Sequence, residues 1–281
     1  MIKFNEKAFS DVRMIIVHGG KISHQDEQVA CGLAYAAGAR GVEIERRNPT
    51  EAELADPRVL IMDVGMQLDP ASRNFDHHQR AKEDEPKCAY ALVAEFLGIR
   101  EFLAKVFPWF EPGIMMDCKG PKATAKALGA DWSAVKGLVL NPANARHNRQ
   151  WAEDPEERKA YAKDLGEQIL DAMEAWPQYE AKARLIDVEG IRVLDVTQVP
   201  DGYSWMAETY ASHVGANVEV FNDDRGEGLG LYRLDDYPGI DFHRLHGRDD
   251  IVFAHEEGFI AKTKRKLDEE GWSLLVKAAR V

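Results

Sequence analysis

Histidines and carboxylates in four short clusters are the residues of this chain best suited to do chemistry. His18 precedes His24-Gln25-Asp26-Glu27, and Asp63 stands in Met62-Asp63-Val64-Gly65 with Asp69-Pro70 soon after. The third cluster is Asp76-His77-His78-Gln79, and the fourth places Asp117 in Met116-Asp117-Cys118-Lys119-Gly120-Pro121. Mixed imidazole and carboxylate donors suit hard or borderline divalent ions such as Mn²⁺. Two ions held close together need a carboxylate that can bridge them, and each must keep a position open for water. Asp63, leaving an apolar run between the two His-rich clusters, is the natural bridge. One ion would take His18, His24 and Asp63; the other would take Asp26, Asp63, His77 and Asp117. Asp76 and His78 are then left to orient the ligands and to contact a reacting phosphate. Taken singly, these residues have blander readings: a His at a strand end as a solvated side chain, Asp117 as an N-cap or turn residue. The ordered set is what points to a two-ion hydrolytic centre. Lys119 is a candidate phosphate contact, although lysines in turns are commonly just solvated.

Strand ends position these groups. Met14–Val17 is an apolar run that empties into the loop from His18, and a helix begins near Asp26 with Val29, Leu33 and Ala36 at helical spacing. Val42–Glu45 reads as a second strand and Glu51–Leu54 as a short helix. Val59–Met62 is a buried strand ending at Asp63, and another strand edge closes on Phe75. The alternation predicts an α/β fold, a mostly parallel sheet with covering helices. Residues 89–130 read as helical, broken at Pro108 and Pro112; Asn141–Trp151 reads as a polar loop, and Asp154–Tyr179 as a long helix that bridges two domains. Beyond Pro177, Leu185–Val188, Ile191–Val196, Val218–Phe221 and Leu229–Leu234 read as strands, and Leu267–Ala279 as a final helix. The expected division is a catalytic domain over 1–183 and a smaller α+β substrate-binding domain over 184–281.

The chain has 281 residues, with 36 Lys and Arg against 48 Asp and Glu, a net charge of −12. That balance disfavours non-specific binding to long nucleic acid but admits a short phosphate substrate at a bound cation. Three cysteines without close spacing argue against a disulfide framework and a structural zinc site. No run is long enough for a membrane span, and the first residues resemble neither a signal nor a transit peptide, so the cytoplasm is the expected compartment. Lys262, Lys264, Arg265 and Lys266 form the one dense basic patch, able to grip phosphates or simply to face water. Tyr203, Trp205 and Tyr210 could stack a base or fill a core.

The clusters also carry a family resemblance. His18…His24-x-Asp26-Glu27, then Asp63-Val64-Gly65 with Asp69-Pro70, then Phe75-Asp76-His77-His78-Gln79, resembles the DHH phosphoesterase superfamily. Within it the chain is most similar to the melanocyte-proliferating-gene (Myg-type) family. Val252-Phe253-Ala254-His255-Glu256-Glu257-Gly258-Phe259-Ile260 resembles that family's F-V-H-x-x-G-F-I segment. The resemblance implies a DHH-type α/β domain with two Mn²⁺ ions and a smaller domain that holds substrate, with His255 and Gly258 on the substrate side. It implies hydrolysis of phosphodiester or phosphoanhydride bonds in a nucleotide or short oligonucleotide, exonuclease-like, and is compatible with a homo-oligomer. Against the family pattern, Gly19 replaces an Asn after His18, His18 and His24 stand one residue further apart, and Ala261-Lys262 replaces glycines. A pyrophosphatase or small-nucleotide phosphodiesterase on the same scaffold, or an inactive nucleotide-binding relative, are the rival readings.

Overall fold

A computed structural model describes residues 4–81, 84–139 and 141–281. The chain divides into two compact units, Met1–Asp171 and Ala172–Val281. The first opens with β1 (Met14–Val17), α1 (Gln25–Ala36), β2 (Glu43–Arg46), α2 (Glu51–Leu54) and β3 (Val59–Met62), followed by the short β4 (Leu68–Asp69) and β5 (Asn74–Phe75). Their order across the sheet is β2-β1-β3-β5-β4, parallel throughout except for β4 at the edge. β3 is buried along its length and β1 from Ile15 to Val17, as parallel strands covered on both faces must be. From β1 the chain goes to β2 on one side and returns to β3 on the other, so a crevice opens at the carboxyl ends of β1 and β3.

Six helices follow: α3 (Ala89–Phe96), α4 (Arg100–Val106), α5 (Phe110–Lys119), α6 (Pro121–Ala127), α7 (Trp132–Val139) and α8 (Pro142–Glu153). Two expectations are corrected here. Pro112 breaks nothing: it lies in the first turn of α5, where a missing amide proton has no partner to lose. Asn141–Trp151 is a helix and not a loop, because the Asn141 side chain accepts a hydrogen bond from the Asn144 amide at 2.9 Å and Pro142 sits at the first helical position. Helix α9 (Pro155–Lys182) comes next, and the division between the units falls within it. It approaches α1 closely. A Cβ on Gly32 would meet Leu165 at 2.7 Å, and one on Gly166 would meet the Gly32 carbonyl oxygen at 2.9 Å.

The second unit adds β6 (Arg184–Val188), β7 (Ile191–Asp195), α10 (Ala207–Val214), β8 (Val218–Asn222), β9 (Leu229–Arg233), β10 (Ile251–Ala254), β11 (Ile260–Thr263) and α11 (Glu269–Ala278). The sheet order is β10-β11-β9-β8-β7-β6, antiparallel except for the β7–β8 pair. Val193, Val218, Val220, Leu229 and Leu231 pack one face against Trp272, Leu275 and Val276 of α11. Among the described residues, no helix is long and apolar enough to cross a membrane.

Candidate metal centre

Strand register brings the clusters together. Val17 is level with Met62, and Met62 with Phe75, so the next residue of each strand, His18, Asp63 and Asp76, stands at the same rim. Asp63 adopts a left-handed backbone (φ 58°), and Gly65 (φ 103°) and Met66 (φ 55°) follow in the same region. A non-glycine residue there costs about 1 kcal/mol, least for Asp and Asn, and such outliers gather where function constrains the backbone.

Asp26 comes from the first turn of α1 and is fully buried. Its Oδ2 accepts the Ala89 amide and its Oδ1 the Tyr90 amide, each at 2.9 Å. These amides belong to the first turn of α3, whose own N-cap residue, Cys88, makes no side-chain cap. One carboxylate thus caps a helix from a distance and sits at the positive end of its dipole.

His77 is the hub. Its Nε2 lies 3.2 Å from Asp63 Oδ1, 3.3 Å from Asp117 Oδ2 and 3.5 Å from Asp26 Oδ2. Asp117 reaches it from the last turns of α5. The His18 ring stacks at 6.2 Å from both His24 and His78. His18, Asp26, Asp63, His77, His78 and Asp117 therefore converge, with His24 beside His18. Asp76 is engaged otherwise: its Oδ1 takes the His78 amide at 3.0 Å and His78 Nδ1 at 2.7 Å, and its Oδ2 takes the Met66 amide at 2.6 Å. Burial works against the Asp76 charge, yet these hydrogen bonds outweigh it and hold the carboxyl below its usual range.

The electrostatics and the donor chemistry fit divalent ions. Burial and the neighbouring carboxylates of Asp63 and Asp117 push Asp26 well above the normal carboxyl range. Burial, then the Asp117 charge, raises Asp63 to about 7. Burial and the charges of His24 and His78 lower His18, favouring the neutral imidazole that ligates. Two buried atoms at the same place, His18 Nδ1 and Glu27 Oε2, have no hydrogen-bond partner among the described residues. One donor atom each from His18, Glu27 and Asp63 lie within 4.8 Å of one another, and the same holds for Asp63, His77 and His78. Crowded acids, the His18 imidazole favoured in its neutral form, and unpartnered ligand atoms at one place are what a cation would relieve.

Glu27 is the residue that sequence reasoning left without a role. It follows Asp26 on the same helical turn and pairs with Arg46 at 2.9 Å, both side chains buried; burial lifts its pKa to about 8 against the pull of Arg46. Arg46 also donates to the carbonyls of Gly20 and Ile22, at 2.8 and 3.1 Å, and lies over the Trp151 ring. From α8, the Asn148 carbonyl accepts the Ser23 amide and hydroxyl at 3.2 and 2.8 Å. The loop between His18 and His24 is thus tied from both sides. Cys88 and Cys118 also border the cluster, each within 4.8 Å of an Asp117 donor and another ligand atom.

Of the substrate-side expectations, Lys119 lies in the first unit and His255, Gly258 and Lys262 in the second. Lys119 ends α5, two residues past Asp117. His255 and Gly258 share the turn between β10 and β11, where the Gly258 amide donates to the His255 carbonyl at 2.9 Å. Lys262, on β11, is paired with the half-buried Asp223.

Among solved structures, the chain is similar to PggH, a pGpG-specific phosphodiesterase from Vibrio cholerae. The identity is 13%, over 94% of this chain and 98% of that one, with a TM-score of 0.31. It is also similar to RecJ in complex with Mn²⁺ from Thermus thermophilus, at 14% identity over 97% of this chain and 52% of that one, TM-score 0.26. An exonuclease RecJ bound to manganese matches at 15% identity over 99% and 94%, TM-score 0.27. No curated protein matches the chain. Residues 14–92 match the family model MYG1_exonuc, described as an uncharacterised protein family (UPF0160). That stretch holds His18, His24, Asp26, Asp63, His77 and His78.

Proposed function

We propose that this chain is a metal-dependent phosphoesterase that cleaves nucleotides or short oligonucleotides. The observation that carries the reading is the convergence of three carboxylates on His77 Nε2, within 3.2 to 3.5 Å, at the carboxyl ends of parallel strands. In this reading His18, His24, Asp26, Asp63, His77 and Asp117 hold two divalent ions, of the Mn²⁺ type, with Asp63 shared; Glu27 stands where it could complete the first set. When bound, the ions supply activated water and neutralise charge on the phosphate oxygens.

The chain's own groups do the rest. Asp76 fixes the His78 ring through Nδ1, leaving Nε2 as the atom that meets a phosphate oxygen of the substrate. Arg46 and Asn148 hold the His18–His24 loop, so both imidazoles keep their places. The second unit, with His255, Gly258 and Lys262 as candidate contacts, is the substrate-holding part, Lys119 of the first unit is a further candidate contact, and the catalytic portion extends over 1–183. A net charge of −12, together with the pairing of Lys262 to Asp223, favours short substrates over long polymers.

The test is metal analysis of the purified chain, joined to a panel of pyrophosphate, dinucleotides and short RNA and DNA assayed with Mn²⁺, Mg²⁺ and Co²⁺. Bound divalent ion and ion-dependent release of mononucleotide are expected. Absence of both rejects the reading; phosphate released from pyrophosphate alone moves it to the rival on the same scaffold.

A further inference from the structure

The sheet of the second unit has two unlike faces. Val218 and Val220 of β8 and Leu231 of β9 turn toward α11. Alternation therefore sends Glu219 and Phe221 to the opposite face, where Tyr232, level with Glu219 across the strand pair, joins them. Above them lies a cavity of about 390 Å³, walled by Tyr179, Trp205, Phe221 and Tyr232, with Glu208 and Glu219 among its lining. Phe221 occupies the space that a side chain at Gly230 would need, so the glycine keeps its ring against the sheet.

Glu219 is only 7% exposed. Among the described residues no hydrogen bond reaches its carboxylate; the influences on it are burial and the like charge of Glu208. Buried carboxylates ordinarily find a donor within the protein. Here the free acceptors face a cavity whose walls, among the described residues, contain no lysine, arginine or histidine. A phosphate is therefore excluded from it. An alkylammonium would engage the acid but leave most of the aromatic wall unused. Adenine and cytosine offer a donor beside an acceptor, which an ionised carboxylate cannot both satisfy. Guanine offers two adjacent N–H donors on one edge and a flat face for stacking.

We propose that this cavity is a base site for guanine, with Glu219 accepting the paired N–H groups and the aromatic walls stacking the ring. Its relevance to catalysis rests on the nucleotide reading above, but binding of a nucleoside needs neither phosphate nor metal. The two ideas can therefore fail separately.

The experiment is calorimetric titration of the full chain at about pH 8, where Glu219 is ionised, in chelator, with guanosine, inosine, adenosine and choline. Guanosine is expected to bind, inosine about tenfold more weakly for want of the amino group, and adenosine and choline more weakly still. Glu219→Gln is expected to lower guanosine affinity by about tenfold or more, since its amide would set a donor against a donor. Trp205→Ala, at a side chain already 52% exposed and so tolerant of removal, is expected to weaken it about fivefold or more. No binding of guanosine, equal binding of adenosine, tighter binding of choline, or unchanged affinity in both variants overturns the proposal. A chain that hydrolyses phosphoesters yet ignores guanosine loses only the base site. One that binds guanosine and hydrolyses nothing loses only the phosphoesterase.

Discussion

At Asp63, burial and the adjacent Asp117 charge raise the pKa to about 7, so changing the acid to its amide removes a repulsion along with a ligand. Asp63→Asn is expected to lose metal-dependent hydrolysis by about a thousandfold or more while raising the melting temperature of chelator-treated protein, by about 1 kcal/mol of relieved repulsion. Thermal scans in chelator and metal titrations check both halves; a fall in chelator-treated stability would count against the crowding. Asp76→Asn is expected to lower kcat about ten- to a hundredfold with KM little changed, because it loosens the His78 ring without removing a ligand. Which single residues could do chemistry was legible in the sequence, since His and Asp types at strand ends are visible there. The part played by Glu27 was not. Its pairing with Arg46 depends on β2 lying beside β1, a neighbour relation that the local pattern does not contain.

Helix α3 starts without a cap of its own and borrows the Asp26 carboxylate. Helices α1 and α9 touch backbone to side chain at Gly32 and Gly166. A methyl at Gly166 meets the Gly32 carbonyl oxygen, which cannot swing aside as a side-chain tip could. Gly166→Ala is accordingly expected to cost about 1–3 kcal/mol in urea denaturation, despite the higher helix propensity of alanine. A gain in stability would show that the two helices separate freely. Sequence patterning recovered β1, α2 and β3 with their bounds because apolar runs and a Thr50–Glu53 capping box mark them locally. It missed α8 because Asn-Pro-Ala-Asn reads as a turn, although Asn141 and Pro142 in sequence are also a helix start. The missed helix matters, as Asn148 on it secures the His18–His24 loop.

For the molecule as a whole, acidity is both global and local. Glu219 has an ordinary value of 4.5 and is raised to about 7 by burial and then by Glu208. Between those values the folded chain holds a proton that the unfolded chain has released. The contribution of this group to stability is fully present below about pH 4.5 and is lost as pH rises through about 7, up to about 3 kcal/mol in all. Denaturation at about pH 4 and about pH 8, either side of that window, is expected to show Glu219→Gln gaining on the unmodified chain at the higher pH; parallel behaviour of the two would remove the buried charge from the account. The division into a parallel-sheet unit and a second sheet was legible from the change of pattern after Pro177, whereas the cavity was not, because strand alternation alone reads Glu219 as a solvated face. The left-handed backbone of Asp63 has a further consequence for genetics. In a library of every replacement at this codon, Asn and Gly are the members expected to persist as soluble, silent protein. Val, Ile and Thr should vanish at expression, so a screen for abundance and a screen for activity would disagree at this one position in a way that marks it.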